Sequence, residues 1–141
     1  MPRKPLVNHL IVKRLCALWS PWSALDIEEC TDTKWVKFFL MDLHPQTEFR
    51  DFDQRSVLYH LRRINYFVRQ LQAGVALDPI VVDNMCYGSR VYPTPVVDDG
   101  NHRLIAYILT DTAKVPAHYG GRVDLLRYLE GKKKSFPGDP V

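Results

Sequence analysis

Residues 95–119 read PVVDDGNHRLIAYILTDTAKVPAHY, and this stretch decides the fold. Two short apolar runs, at 96–97 and 115–117, flank a segment with helical periodicity. Its apolar residues Leu104, Ile105, Ile108 and Leu109 share one face. The pattern therefore predicts a strand, a helix and a second strand, joined with few linking residues.

The chain on both sides of this stretch continues the alternation. A helix is predicted from Asp53, as its N-cap, to about Gln72, with Gly74 as a C-terminal stop. LDPIVVDNM (77–85) predicts a short buried strand, and CYGSRVYPT (86–94) a turn or irregular link. GGRVDLLRYLEG (120–131) predicts a last helix. This order of elements indicates an α+β or α/β domain, a small mixed sheet packed by helices.

The first 50 residues match no motif. LIVKRLCALW (10–19) predicts either a strand or a short helix, which Pro21 breaks. KWVKFFLMDL (34–43) predicts a buried strand, with a helix as the alternative. We therefore expect residues 1–50 to be an N-terminal extension of the same domain, 51–131 the core, and 132–141 a flexible basic tail.

Composition indicates one ordinary globular domain. The 141 residues are 46% hydrophobic and 25% charged, with a net charge of +3, which is a weak argument for nucleic acid. The three cysteines (Cys16, Cys30 and Cys86) are too few and too scattered for a disulfide framework or a zinc site. No apolar run approaches the roughly 20 residues needed to cross a bilayer, so we expect a cytoplasmic protein with no membrane partner.

The polar turn at 98–103 has a specific chemistry. The first N–H groups of a helix lack partners and, with the helix dipole, attract an anion such as phosphate. Gly100 permits a tight turn, and His102 and Arg103 place positive side chains beside that anion. Asp98 and Asp99 could hold a hydrated Mg²⁺. The alternative is an ordinary Asp-Gly turn in which Asp99 or Asn101 only caps the helix.

A basic stripe runs along the predicted helix 53–72. Arg55, Arg62 and Arg69 lie seven residues apart, and Asn65 lies between the last two. An apolar face of the same helix carries Val57, Leu58, Leu61, Ile64, Val68 and Leu71. A solvated surface is the alternative interpretation of the stripe.

The segments LDPIVVDN, DGNHRLIAY, VPAHY and VDLLRYL, in this order, resemble the ParB/sulfiredoxin superfamily over about residues 53–131. The resemblance implies a nucleotide site: sulfiredoxins bind ATP, partition-type ParB domains bind CTP, and a related free-serine kinase uses ADP. It assigns Gly100, Asn101, His102 and Arg103 to phosphate binding. It also places Arg62 (or Arg63), Asn65 and Arg69 near the nucleotide.

Two departures from the family pattern narrow the function. Asn101 stands where sulfiredoxins carry their catalytic cysteine, so the thiolate that peroxiredoxin repair requires is missing from the turn. The partition-type ParB pattern has an acidic-arginine-arginine turn and a downstream helix-turn-helix domain. The chain shows neither, so centromere-specific DNA binding is not expected.

The first of three hypotheses is a nucleotide-binding enzyme that hydrolyses ATP or transfers its phosphoryl group. His102, Arg103 and Arg62 would hold phosphates, while Asp98 or Asp99 would hold Mg²⁺. Asp98, Asp99, His102 and Arg103 are then the candidate catalytic residues. Glu28 and Glu29 are candidate general bases, or else surface residues.

The second hypothesis is a DNA-binding protein or non-specific nuclease. Its contacts would come from the arginine stripe and from Lys132, Lys133 and Lys134. Trp19, Trp22 and Trp35 would stack on bases, or else pack in the core. The third hypothesis is a regulatory module that binds nucleotide without turnover and meets a protein partner through residues 1–50.

Overall fold

A computed structural model describes residues 6–48, 56–87 and 89–138 and shows an α+β fold, as predicted. The chain divides into two compact units. Met1–Trp19, Asp78–Gly100 and Ala113–Val141 form the first, which contains the sheet and is called the sheet unit below. Ser20–Leu77 and Asn101–Thr112 form the second, called the helical unit.

The sheet unit contains a four-stranded mixed sheet in the order β1-β4-β2-β3. The strands are β1 (Asn8–Ile11), β2 (Ile80–Tyr87), β3 (Arg90–Asp99) and β4 (Lys114–Tyr119). β4 pairs antiparallel to β1 and parallel to β2, and β2 pairs antiparallel to β3. The alternating apolar side chains of these strands, Leu10, Ile80, Val82, Val97, Val115 and Ala117, are buried.

The region between β2 and β3 differs from its prediction. Residues 86–94 are not an irregular link, because β2 continues to Tyr87 and β3 begins at Arg90. Pro93 and Pro95 lie within β3, although proline cannot donate to a strand ladder. β3 lies at the edge of the sheet, where proline is tolerated, and the register shifts between Asn84 and Cys86.

Two helices complete the sheet unit: α1 (Val12–Leu18) and α6 (Val123–Leu129). The 10–19 segment therefore contains both predicted elements: it begins in strand β1 and continues as helix α1. Gly131 follows α6 with a positive φ of 87°, a conformation that is common just after the end of a helix. Two carbonyls of the predicted flexible tail accept hydrogen bonds from arginines outside it. Arg14 of α1 donates to the Lys133 carbonyl at 2.8 Å, and Arg122, before α6, donates to the Gly138 carbonyl at 2.7 Å.

The helical unit contains α2 (Pro21–Ala24), a 3-10 turn (Glu28–Cys30), α3 (Thr33–Leu40), α4 (Val57–Gln72) and α5 (Asn101–Leu109). Its core is formed by apolar side chains from each of these elements: Trp22, Ile27, Cys30, Val36, Leu40, Leu61, Ile64, Val68, Ile105, Ala106 and Leu109.

Two helices of this unit differ from the prediction, α3 in its type of element and α4 in the residue at which it begins. The preferred strand at 34–43 is wrong: α3 is a helix whose Val36 and Leu40, four residues apart, share the buried face. Asp32 caps α3 by accepting from the Trp35 N–H at 3.2 Å. α4 begins at Val57 with Ser56 as its N-cap, and Asp53, the predicted cap, lies outside the described residues.

Candidate functional site

The polar turn joins the end of β3 to the start of α5. Asp98 and Asp99 are the last two residues of β3, and both are exposed. Gly100 has a φ of 103°, which an L side chain rarely adopts, so the predicted need for glycine is met. Asn101, His102 and Arg103 form the first turn of α5, and this turn contains no acidic residue. The strand-turn-helix order of the prediction is confirmed.

His102 is held by a buried histidine of α4. The Nδ1 atom of His60 and the Nε2 atom of His102 lie 2.8 Å apart, so one nitrogen donates its hydrogen to the other. The two rings stack with centroids 5.1 Å apart and an angle of 24°. Only 5% of the His60 surface is exposed. This pair, called the histidine dyad below, fixes the orientation of the imidazole at the first turn of α5.

Tyr59 packs edge-on against both rings of the dyad. Its ring makes an angle of 89° with His102 and 68° with His60. Sequence reasoning did not single out His60 or Tyr59. The available signal was His60 itself, a polar residue four positions before Ile64 on the buried side of α4, where a buried partner is expected.

The predicted stripe on α4 faces another segment. The Asn65 side chain donates to the Leu43 carbonyl at 2.6 Å, and Arg69 donates to the same oxygen at 3.1 Å. Both side chains therefore hold the chain that follows α3. At about 100° per residue, Arg62 lies about 160° around α4 from His60, so the stripe and the dyad occupy opposite flanks of the helix.

Arg63, the substitute considered for Arg62, is also used to hold the chain before α4. Its guanidinium donates to the carbonyls of Gln46 at 3.2 Å and Thr47 at 3.0 Å, and it lies over the Phe67 ring. The Arg62 Nε atom is buried and has no hydrogen-bond partner among the described residues. Arg55, the first member of the stripe, lies outside the described residues.

Asp98 interacts with a second carboxyl group of the sheet unit. A side-chain hydrogen bond with Asp98, together with partial burial and the nearby negative charge, raises the pKa of Asp83 to about 6. In the described ranges, no group of three or more His, Cys, Asp or Glu side chains is placed to hold a metal ion.

The remaining candidate residues differ in how far they are exposed. Glu28 and Glu29 are exposed on the 3-10 turn, as their surface alternative predicted. Trp22 is buried in the helical core, whereas Trp35 is 51% exposed on α3. The side chains of Lys132, Lys133 and Lys134 are exposed after α6.

Comparisons with protein-family models, with curated proteins and with solved structures found no match to the chain. The resemblance to the ParB/sulfiredoxin superfamily therefore stays a prediction from its motifs. In the part of the chain that the structure describes, no helix is both long enough and apolar enough to cross a bilayer.

Proposed function

We propose that this protein binds a nucleoside phosphate, ATP in the first place, with its phosphates on the first turn of α5. One observation supports the proposal above the others. The first turn of α5 bears Arg103 and a His102 that is fixed by a buried histidine, and this helical turn contains no acidic residue. The family resemblance of DGNHRLIAY points to the same turn and the same class of ligand.

The electrostatics of the turn favour an occupied site. The N-terminus of a helix carries the positive end of its dipole, and a cation there normally costs a few tenths of a kcal/mol. Arg103 adds one such cation in the first turn, and His102 adds an imidazole that a further proton would make a second. A phosphate would reverse the sign of this interaction, because the first N–H groups of α5 and the planar Arg103 guanidinium can all donate to its oxygens.

The histidine dyad gives His102 a defined role in this proposal. A ring pair that shares one hydrogen can accept one further proton and become a cation. A bound phosphate favours that cation, because it places a negative charge beside the ring pair.

Mg²⁺ enters this proposal with the nucleotide. Magnesium keeps several waters and is commonly held by substrate phosphates plus one or two carboxylates. The chemistry proposed after binding is ATP hydrolysis or phosphoryl transfer, in which charge neutralisation by Arg103 and the dyad is the protein's contribution.

A thermal-shift titration of the full chain tests binding directly. ATP, ADP, CTP and inorganic phosphate are each titrated with and without Mg²⁺. A ligand at 100 times its Kd stabilises the folded state by about 2.7 kcal/mol, which gives a clear rise in Tm. Arg103→Ala should abolish most of that rise. Arg127→Ala, which removes the same charge from the exposed side of α6, is the matched control and should leave it unchanged.

The titration, together with an assay for product and a test of retention on DNA, distinguishes the three hypotheses. Absence of any nucleotide shift, or an unchanged shift in Arg103→Ala, would contradict the proposed site. Nucleotide binding without product formation would favour a regulatory module over an ATPase. Retention on DNA that weakens steeply with salt, with no nucleotide shift, would favour the DNA-binding hypothesis.

A further inference from the structure

Helix α3 is apolar on both of its faces. Its inner face buries Val36 and Leu40 in the helical core. Its outer face exposes Phe38 by 74%, Met41 by 73% and Trp35 by 51%. These large side chains are contiguous on the helix, so they form a patch rather than scattered apolar residues, and such a patch marks an interaction surface.

Phe38 is the centre of this outer face. At about 100° per residue, its direction is opposite to the mean direction of Val36 and Leu40. A groove lies on each side of it. One, of about 390 Å³, is lined by Leu40, Met41, Val68 and Leu109; the other, of about 300 Å³, is lined by Trp35, Phe39 and Leu43. A ridge between two grooves is a shape that can interlock with a copy of itself.

The charges in and just after α3 show the same symmetry about Phe38; Asp42 lies in the turn that follows the helix, next to its C-cap Met41. Lys34 precedes Phe38 by four residues and Asp42 follows it by four, and both are exposed. Lys37, the other cation of the helix, lies 3.3 Å from Asp111 of its own chain. If two copies of α3 pair antiparallel at Phe38, Lys34 of each copy comes level with Asp42 of the other. A parallel pair would instead place Lys34 against Lys34 and Asp42 against Asp42.

The apolar residues follow the same relation. Trp35 and Met41 lie three residues before and after Phe38. Antiparallel pairing brings the indole of one copy level with the thioether of the other, and sulfur–aromatic contacts of this kind are favourable. Aromatic residues and methionine are also the types enriched at the centre of protein interfaces.

We propose that a second copy of this chain covers the outer face of α3, in an antiparallel, two-fold symmetric dimer centred on Phe38. The interface is isologous, so each residue contributes twice. This proposal uses no part of the nucleotide site and is independent of it.

Sedimentation equilibrium of the full chain over a range of concentrations tests the dimer. The parent should show a monomer–dimer equilibrium. Phe38→Glu places two like charges at the symmetry centre and should raise the dissociation constant by about 30-fold or more, the size of effect expected at a central anchor residue. Val123→Glu, at a position of α6 that is 71% exposed, is the matched control and should leave dimerisation unchanged.

A charge exchange distinguishes self-association from binding to another partner. Asp42→Lys alone should weaken the dimer, because it opposes the Lys34 side chain of the second copy. The double variant Lys34→Asp, Asp42→Lys should restore it, because the pair is rebuilt with opposite sign. A parent that stays monomeric at high concentration, or a Phe38→Glu variant that dimerises as well as Val123→Glu, would overturn the proposal. Circular dichroism confirms that each variant is folded.

Discussion

Among the described residues, each unit buries two polar side chains, and one from each, Asn84 and His60, are satisfied in different ways. In the sheet unit, Asn84 is 7% exposed and accepts from the Tyr119 hydroxyl and the Arg122 N–H. Its amide donates to the carbonyls of Tyr92 and Thr94. In the helical unit, His60 is 5% exposed and pairs with His102, a side chain at a helix N-terminus.

The difference separates a structural group from a candidate functional one. All four hydrogen bonds of Asn84 go to fixed groups that do not titrate near neutral pH, so they serve the fold alone. The partner of His60 is a second imidazole, which can change its protonation and is only partly buried. Buried polarity by itself thus says little about function until the nature of its partner is known.

The largest effect is expected from closing the space around Asn84. In Gly121→Ala, the new Cβ would fall on the Asn84 Oδ1 atom and lie 2.7 Å from the Tyr119 hydroxyl. We expect a loss of about 3 kcal/mol of unfolding free energy, since the hydrogen bonds must break or the backbone must shift. Urea unfolding measures it. Gly120→Ala is the control, because its Cβ would approach no closer than 3.9 Å to Asp83 and should be tolerated.

The second largest effect is expected from removing His60, the buried member of the histidine dyad. In His60→Leu, the hydrogen bond to His102 is lost and nucleotide affinity should fall by about tenfold, the value of one hydrogen bond to a charged group. His60→Asn keeps a polar atom near the position of Nδ1 and should retain most of the affinity. Calorimetry with ATP measures both. Equal affinity in the parent and His60→Leu would show that His60 serves packing alone.

A smaller effect follows from the Asp83–Asp98 pair. The pKa of Asp83 is raised from 3.8 to about 6, so the folded state holds a proton that the unfolded state releases. The stabilisation from this proton is present below about pH 4 and is lost as the pH rises through about 6. Asp83→Asn can donate to Asp98 at every pH. Its Tm relative to the parent should therefore rise between pH 4 and pH 7, and a constant difference would contradict the shared proton.

The smallest effect is a difference in reactivity among the three thiols, of which Cys16 and Cys86 lie in the sheet unit and Cys30 in the helical unit. Cys86 is exposed, whereas burial raises the pKa of Cys16 to about 12, and burial together with Glu29 raises that of Cys30. Iodoacetamide at pH 8 should label Cys86 first and the other two cysteines more slowly. Mass spectrometry measures the extent of labelling at each cysteine. ATP should slow the labelling of Cys30, which reports opening of the helical unit, more than that of Cys16. Equal protection of both would argue against binding by the helical unit.

Several elements could be predicted because their signals are local. α5 follows from its apolar spacing, and the turn before it from Gly100, whose φ of 103° only glycine adopts readily. α3 was mistaken for a strand because Trp35, Phe38 and Phe39 make its outer face as apolar as its inner one, which hides the helical period. The extension of β2 to Tyr87 and of β3 back to Arg90 was not predicted, because the edge position that permits Pro93 and Pro95 is a property of the sheet and not of the segment.

The candidate site was predicted in part for the same reason. The first turn of α5 depends on neighbours in sequence, and it was found. The stripe of Arg62, Asn65 and Arg69 was correctly placed on one flank of α4, yet its contacts depend on where the chain after α3 returns. The His60–His102 pair joins residues 42 positions apart, and their spacing in sequence gives no sign of it.

The order of strands in the sheet has a consequence for synthesis at the ribosome. β4 lies between β1 and β2 and is the strand that pairs with both. Every residue of the helical unit precedes Ala113, whereas β4 begins at Lys114. During vectorial synthesis, the helical unit, with its histidine dyad, has its whole chain before β1 has its partner strand. The sheet is therefore completed only after the chain of the helical unit has been synthesised, when β4 pairs with β1 on one side and with β2 on the other.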